Sequence, residues 1–246
     1  MIDLEKLELN RADETLWLHL AELRKRAIFS LLVLTVLSIV SYFFSNQILE
    51  FLIRPISSIS QKVYYGSPYG AFLVKLQISF WTGLFLTSPL LLAETLLFIK
   101  PGLYQREKKF FSLFLLVSIS LFLFGVALAA FAVIPATINF FLGFSTPNLL
   151  PLISINQYLG FYVWSVMAFG LAFETPIFLV GLVWFGVIEL QTLKSLRRQV
   201  IVGIFIFAAV ITPSPDPFSQ CLLAIPMWLL FEASLIISGF ARRRHL

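Results

Sequence analysis

The apolar positions of this 246-residue chain fall in long uncharged blocks, with no polar face recurring along any of them. Residues 27–49 form the first block, and 23 residues suffice for a helix across a hydrocarbon layer of about 30 Å. Further blocks cover 76–99 (interrupted by Glu94), 110–134, 158–186 (interrupted by Glu174), 200–211 and 218–240 (interrupted by Glu232). A segment apolar on every side has no amphipathic period to read, which is the pattern of helices surrounded by lipid or by other helices. Turn-forming residues separate the blocks: Lys100-Pro101-Gly102, then Pro135, Gly143, Ser145-Thr146-Pro147-Asn148 and Pro151, and finally Thr212-Pro213-Ser214-Pro215-Asp216-Pro217. The pattern predicts an all-α polytopic membrane protein. It is one integral domain over 1–246, with six transmembrane helices behind a polar segment at 1–26. No internal repeat is evident, which counts against an inverted-repeat transporter.

Two blocks are short. The fifth, at 12 residues, reaches about 18 Å, and the sixth has 14 residues, about 21 Å, before Glu232. Either flanking residues such as Leu193 and Leu196 extend the fifth span, or a short helix pair thins the bilayer and recruits partner helices.

Composition removes other classes. With 59% of residues hydrophobic and 13% charged, a water-soluble enzyme is excluded. Cys221 is the sole cysteine, and His19 and His245 lie outside every apolar block, so no thiolate, haem or zinc centre is expected. No Gly-rich phosphate loop occurs, so neither nucleotide nor any other cofactor is expected, and no enzymatic activity. The net charge of +5 does not call for nucleic acid, because the bases sit at block ends. Fifteen of the eighteen fall in segments that alternate to one side of the membrane, leaving Arg54, Lys62 and Lys75 on the other. The positive-inside rule then places both termini in the cytoplasm. The first 18 residues contain Asp3, Glu5, Glu8, Asp13 and Glu14, unlike a signal-peptide n-region, so the first block is read as a retained span.

In so uncharged a chain the acids within or beside lipid carry information. Glu174 follows 64 residues without a charge and precedes 14 more, and Pro176 removes a backbone donor beside it. It is either a protonated group bonded to a freed carbonyl or a neighbouring helix, or a polar point facing a cavity. Glu94 and Glu232 lie nearer the cytoplasmic ends. Glu22 and Glu107 sit on the cytoplasmic face among bases. Glu22 meets Lys25 and Arg26 at i+3 and i+4, which permits simple local pairing. The alternative is that these two carboxylates receive a cationic peptide, since guanidinium groups bind carboxylates bidentately.

Five patches, in order along the chain, resemble the TatC family of twin-arginine protein translocases. His19-Leu20-Ala21-Glu22-Leu23-Arg24-Lys25-Arg26 is similar to the family's HLxELRxR signature. The segment Phe98 to Lys108, containing Pro101-Gly102-Leu103-Tyr104 and Glu107, resembles its first cytoplasmic loop. Phe169-Gly170 with Phe173-Glu174 and Pro176, Thr212-Pro213 with Asp216, Ser219 and Gln220, and Leu223-Ala224-Ile225-Pro226 with Phe231-Glu232 complete the match. The 212–217 turn is one residue longer than the family's commonest form. The resemblance implies a bacterial inner-membrane receptor that binds twin-arginine signal peptides and initiates export of folded proteins. It implies that Glu22 and Glu107 bind the peptide, that Arg24 holds Glu22 or the first loop in place, and that Phe98 and Pro101 shape that loop. It further implies that Glu174, with Glu94 and Glu232, makes intramembrane polar contacts, and that Asp216 belongs to a periplasmic turn. The implied partners are TatA- and TatB-type single-span subunits, together with self-association in a multisubunit complex. The competing readings are a proton-coupled secondary transporter using Glu174 and a scaffold without substrate.

Overall fold

The structure, a computed structural model, describes residues 2–57, 63–99, 111–146, 148, 151–184, 186–212 and 216–243. It divides into two compact units: Met1–Asn46 with Lys75–Leu115, and Gln47–Val74 with Leu116–Leu246. Apart from a two-residue parallel pairing of β1 (Val63–Tyr64) with β2 (Ile153–Ser154), the regular structure described is helical, so the chain is an all-α membrane protein. Among the described residues, five helical stretches are long and apolar enough to cross a bilayer: Leu20–Phe43, Gly70–Phe98, Phe111–Leu142, Ile155–Trp184 and Pro217–Gly239.

The first unit is built on α1 (Ile2–Phe43) and α3 (Gly70–Ile99). The polar 1–26 segment and the first apolar block share one helix, which stops at Phe43 rather than at 49. A turn at Phe44, whose N–H donates to the Ser41 carbonyl, ends it. Residues 45–49 instead open α2 (Ser45–Ser57), on which Ser45, Ile48, Leu49, Leu52, Ile53 and Ile56 are buried or half-buried while Gln47, Glu50 and Arg54 are exposed. That spacing is an amphipathic helix, hidden in the sequence because its first turn is uncharged. Within the first unit α1 and α3 run antiparallel, with Arg26 beside Glu94 at one level and Ser38 beside Gly83 at another. Gly83 is what lets them touch, because a Cβ there would lie 2.8 Å from the Ser38 backbone. Leu31, Leu32, Ile39 and Phe43 on α1 remain exposed, as lipid-facing side chains are.

In the second unit, α4 (Phe111–Leu128) does not end near 134. It passes through a π-helical turn, Ala129–Val133, into α5 (Ile134–Leu142). Pro135 directly follows the π turn, and the helix continues past it rather than terminating. The fourth apolar block is two helices, α6 (Ile155–Phe173) and α7 (Thr175–Trp184), broken at Glu174, with Pro176 in the first turn of α7. Helix α6 carries much of this unit's core, including Tyr158, Val166, Phe169, Ala172 and Phe173. At Gly125 of α4 an added Cβ would meet the Phe169 carbonyl at 2.7 Å, so α4 and α6 pack backbone to backbone. The Tyr158 hydroxyl donates to the Leu52 carbonyl at 2.5 Å, fastening α2 to α6.

Leu193 does not lengthen the helix of the fifth apolar block. It is buried in a separate short helix, α8 (Leu190–Ser195), and α9 (Arg197–Ile211) remains 15 residues long, about 22 Å. The sixth helix is not short: α10 runs Pro217–Arg243, 27 residues, straight through Glu232. Glutamate is a good helix former and does not interrupt it, and Arg197 of α9 reaches the Glu232 carboxylate at 2.8 Å.

Candidate functional site

The first unit brings Glu22 and Glu94 onto one cation. Arg26 lies one helical turn beyond Glu22 on α1, so its side chain doubles back along the same face. Its Nε and Nη2 donate to Glu22 Oε1 at 3.2 and 2.7 Å. Its Nη1 donates to Glu94 Oε2 of α3 at 2.5 Å. All three side chains are partly exposed: 24% for Arg26, 39% for Glu22 and 19% for Glu94. Pairs this wet contribute only about 0.2–1 kcal/mol each to stability. What the arrangement provides is two carboxylates, one from each helix, turned to a guanidinium.

The remaining residues of the expected peptide site are placed as follows. Arg24 is exposed on α1, and Arg26 is a cation seen against Glu22. Phe98 is half-buried in the last turn of α3. Pro101 and Glu107 lie outside the described residues.

Glu174 sits at the break between α6 and α7 and is 4% exposed. The Ser118 hydroxyl of α4 donates to its Oε2 at 2.6 Å, and Oε1 has no hydrogen-bond partner among the described residues. A neighbouring helix, rather than a carbonyl freed by Pro176, therefore supplies its bond. A small cavity of about 20 Å³, room for about one water, lies elsewhere in this unit between Val133, Thr137, Ser165, Thr212 and Ser219. Glu174 does not line it. Glu232 is paired with Arg197, which fixes the short α9 against α10. Asp216 caps α10, its Oδ1 accepting from the Ser219 N–H at 2.8 Å, with Pro217 in the helix's first position. Gln220 adds a second tie between the last two helices, its Nε2 donating to the Phe205 carbonyl at 2.8 Å. Among the described residues no three His, Cys, Asp or Glu side chains are grouped as a metal site would require.

Sequence reasoning missed the Arg26–Glu94, Arg197–Glu232 and Ser118–Glu174 pairs. The first two had a signal: opposite charges at matching depths of neighbouring blocks. Ser118, one serine among many in apolar helices, had none.

The family model for TatC, Sec-independent protein translocase protein, matches residues 18–226. The protein named Sec-independent protein translocase protein TatC from Magnetococcus marinus is 40% identical over 230 residues, covering 92% of this chain and 84% of that one. Its namesake from Aquifex aeolicus is 37% identical, over 92% of this chain and 95% of that one. A crystal structure described as the twin arginine translocase receptor TatC superposes with a TM-score of 0.78 at 37% identity, covering 89% of this chain and 99% of that one.

Proposed function

The chain belongs to the TatC family and is a multi-pass component of the Tat protein translocase of the bacterial inner membrane, working with other Tat components; on that premise we propose that it is the receptor for twin-arginine signal peptides. In this reading the peptide's guanidinium groups are received at the cytoplasmic ends of α1 and α3, and their binding initiates export of a folded cargo. The observation that carries it is that α1 and α3 bring two carboxylates, Glu22 and Glu94, to one guanidinium, that of Arg26, the chemistry by which a peptide's arginines would be received. A planar fork suits such a site better than a lysine ammonium, because it bridges two oxygens at once.

Glu107 and Pro101 belong to the sequence segment that follows α3, and Phe98 lies in the last turn of that helix. We assign Glu107 to the second arginine, Phe98 and Pro101 to presenting it, and Arg24 to the basic rim around the site. Six spans with both termini cytoplasmic fit the distribution of bases, with α9 as the short fifth. Glu174, buried with one oxygen unbonded among the described residues, is suited to a polar group from a TatA- or TatB-type helix. The paired α9 and α10, with Glu232 and Asp216 at their two ends, offer a docking surface for such subunits or for further copies of this chain.

The test is export of a folded twin-arginine substrate in cells that carry only the variant protein. Glu22→Ala and Glu107→Ala should each block export, and replacing the substrate's arginine pair by lysines should reduce it. Undiminished export by the double variant would refute the assignment.

A further inference from the structure

We infer that the small cavity between α5, α6 and the adjoining ends of α9 and α10 is the binding site of one ordered water molecule, held by the hydroxyls of Thr137, Ser165 and Thr212. Thr137 is 1% exposed, it lines the cavity, and its Oγ1 has no hydrogen-bond partner among the described residues. A buried hydroxyl without a partner is destabilising. The helix geometry nevertheless turns this one inward. In the π turn Ala129–Val133 the Ile134 N–H donates to the Ala129 carbonyl, five residues back. Such a turn holds one residue more than an α turn, and so rotates everything after it by about 100°. Thr137 stands eight residues after Ala129, which is fully buried. In an unbroken α-helix it would lie about 80° round from Ala129; with one residue taken up by the π turn it lies about 20° round, on the buried face.

Water fits both the space and the chemistry. A volume of about 20 Å³ exceeds the roughly 10–15 Å³ that one water needs, and a buried water typically takes about three partners. Thr137 comes from α5, Ser165 from α6, and Thr212 from the C-terminal end of α9. The Thr212 hydroxyl already donates to the Ala208 carbonyl at 2.8 Å, so its oxygen is left to accept a hydrogen from the water. Thr137 and Ser165 can each donate or accept, so the water's two hydrogens and two lone pairs are served without conflict. Ser219, in the first turn of α10, borders the same space, and Ala168 and Leu223 close it with apolar surface. Among the described residues no charged side chain lines the cavity, so a neutral ligand suits it and a cation would lack a counter-charge. The site is independent of the receptor reading. Its effect is to fasten one end of the short α9 to α5 and α6, the other end being held by the Arg197–Glu232 pair.

The experiment pairs thermal unfolding of the full chain in mild detergent with a high-resolution crystal structure of the wild-type protein. Thr137→Val keeps the shape of the side chain and removes its hydroxyl. With a water in place it should lower Tm by about 2–4 °C, the loss of about one hydrogen bond in a chain of this size. In a dry cavity the same substitution removes a stranded hydroxyl and raises Tm instead. The sign of the shift therefore decides, and an unchanged or raised Tm would overturn the inference. Ser165→Ala should lower Tm by a similar amount. Thr137 makes no direct bond to Ser165, so a shared water is what couples the two losses. The double variant Thr137→Val, Ser165→Ala should then lose clearly less than the sum of the single variants, and strict additivity would count against a shared ligand. The wild-type crystal needs no variant to fold. It should show one ordered density peak about 2.8 Å from Thr137 Oγ1, and a well-ordered cavity without that peak would overturn the inference.

Discussion

Gly83→Ala should separate the two helices that hold the Glu22–Arg26–Glu94 cluster. A Cβ built on Gly83 lies 2.8 Å from both the Cα and the N of Ser38, and it also overlaps the Ser38 hydroxyl. Ordinary contact between such atoms is about 3.5–4.0 Å, so α1 and α3 must part by roughly 0.7–1.2 Å at this level. A radial gap of that size forfeits about a quarter to a half of the dispersion energy of each contact along the seam. Overpacking of this kind costs about 1–3 kcal/mol, or roughly 2–12 °C in Tm for a chain of this size. The obstruction is mostly backbone, so rotating a side chain cannot relieve it. Adding Ser38→Gly removes the hydroxyl but leaves the Cα and N in place, and should recover only part of the loss. The assay is thermal unfolding of the purified protein in mild detergent, followed by tryptophan fluorescence. A Gly83→Ala protein with the wild-type Tm would refute the close approach, as would full rescue by Ser38→Gly.

Substitutions at four further positions probe the second unit. Ser118→Ala removes the donor to Glu174 Oε2 and should cost about 1–3 kcal/mol in the same unfolding assay, the penalty of a buried polar group left without its partner. A Ser118→Ala protein as stable as wild type would show that bond to be dispensable. Asp216→Ala deletes the cap of α10 and should lower stability by about 1 kcal/mol, with Asp216→Asn retaining most of it. Arg197→Glu should loosen α9 from α10, and the exchange Arg197→Glu, Glu232→Arg should restore protection of the α9 amides in hydrogen exchange. Because that pair is partly exposed, the stability change should stay near or below about 1 kcal/mol.

The apolar blocks located the main helices, because a helix in lipid must satisfy its own backbone and so reads as an unbroken apolar run. They failed where a break leaves no charge. Phe44 separates α1 from the amphipathic α2 within an uncharged stretch, and only the face on which Ile48, Leu52 and Ile56 recur reveals the second helix. Pro135 was expected to end a span, yet it directly follows a π turn and the helix continues past it. The i,i+4 rule anticipated Glu22 with Arg26. Glu94's part in that cluster depends on α1 and α3 being neighbours in antiparallel register, a property of packing that spacing along the chain does not encode. Glu174 stood out because charge is so scarce around it, whereas its partner Ser118 is indistinguishable in sequence from the other serines of α4.

The most direct test of the receptor reading is site-specific photo-cross-linking. A twin-arginine signal peptide with a photoreactive residue beside its arginine pair is irradiated with the full chain in membranes, and the adducts are mapped. Binding at the ends of α1 and α3 predicts adducts close to Glu22 and in the loop around Glu107, lost in the Glu22→Ala, Glu107→Ala double variant and absent when the peptide carries lysines. Adducts of equal yield in that double variant would contradict it.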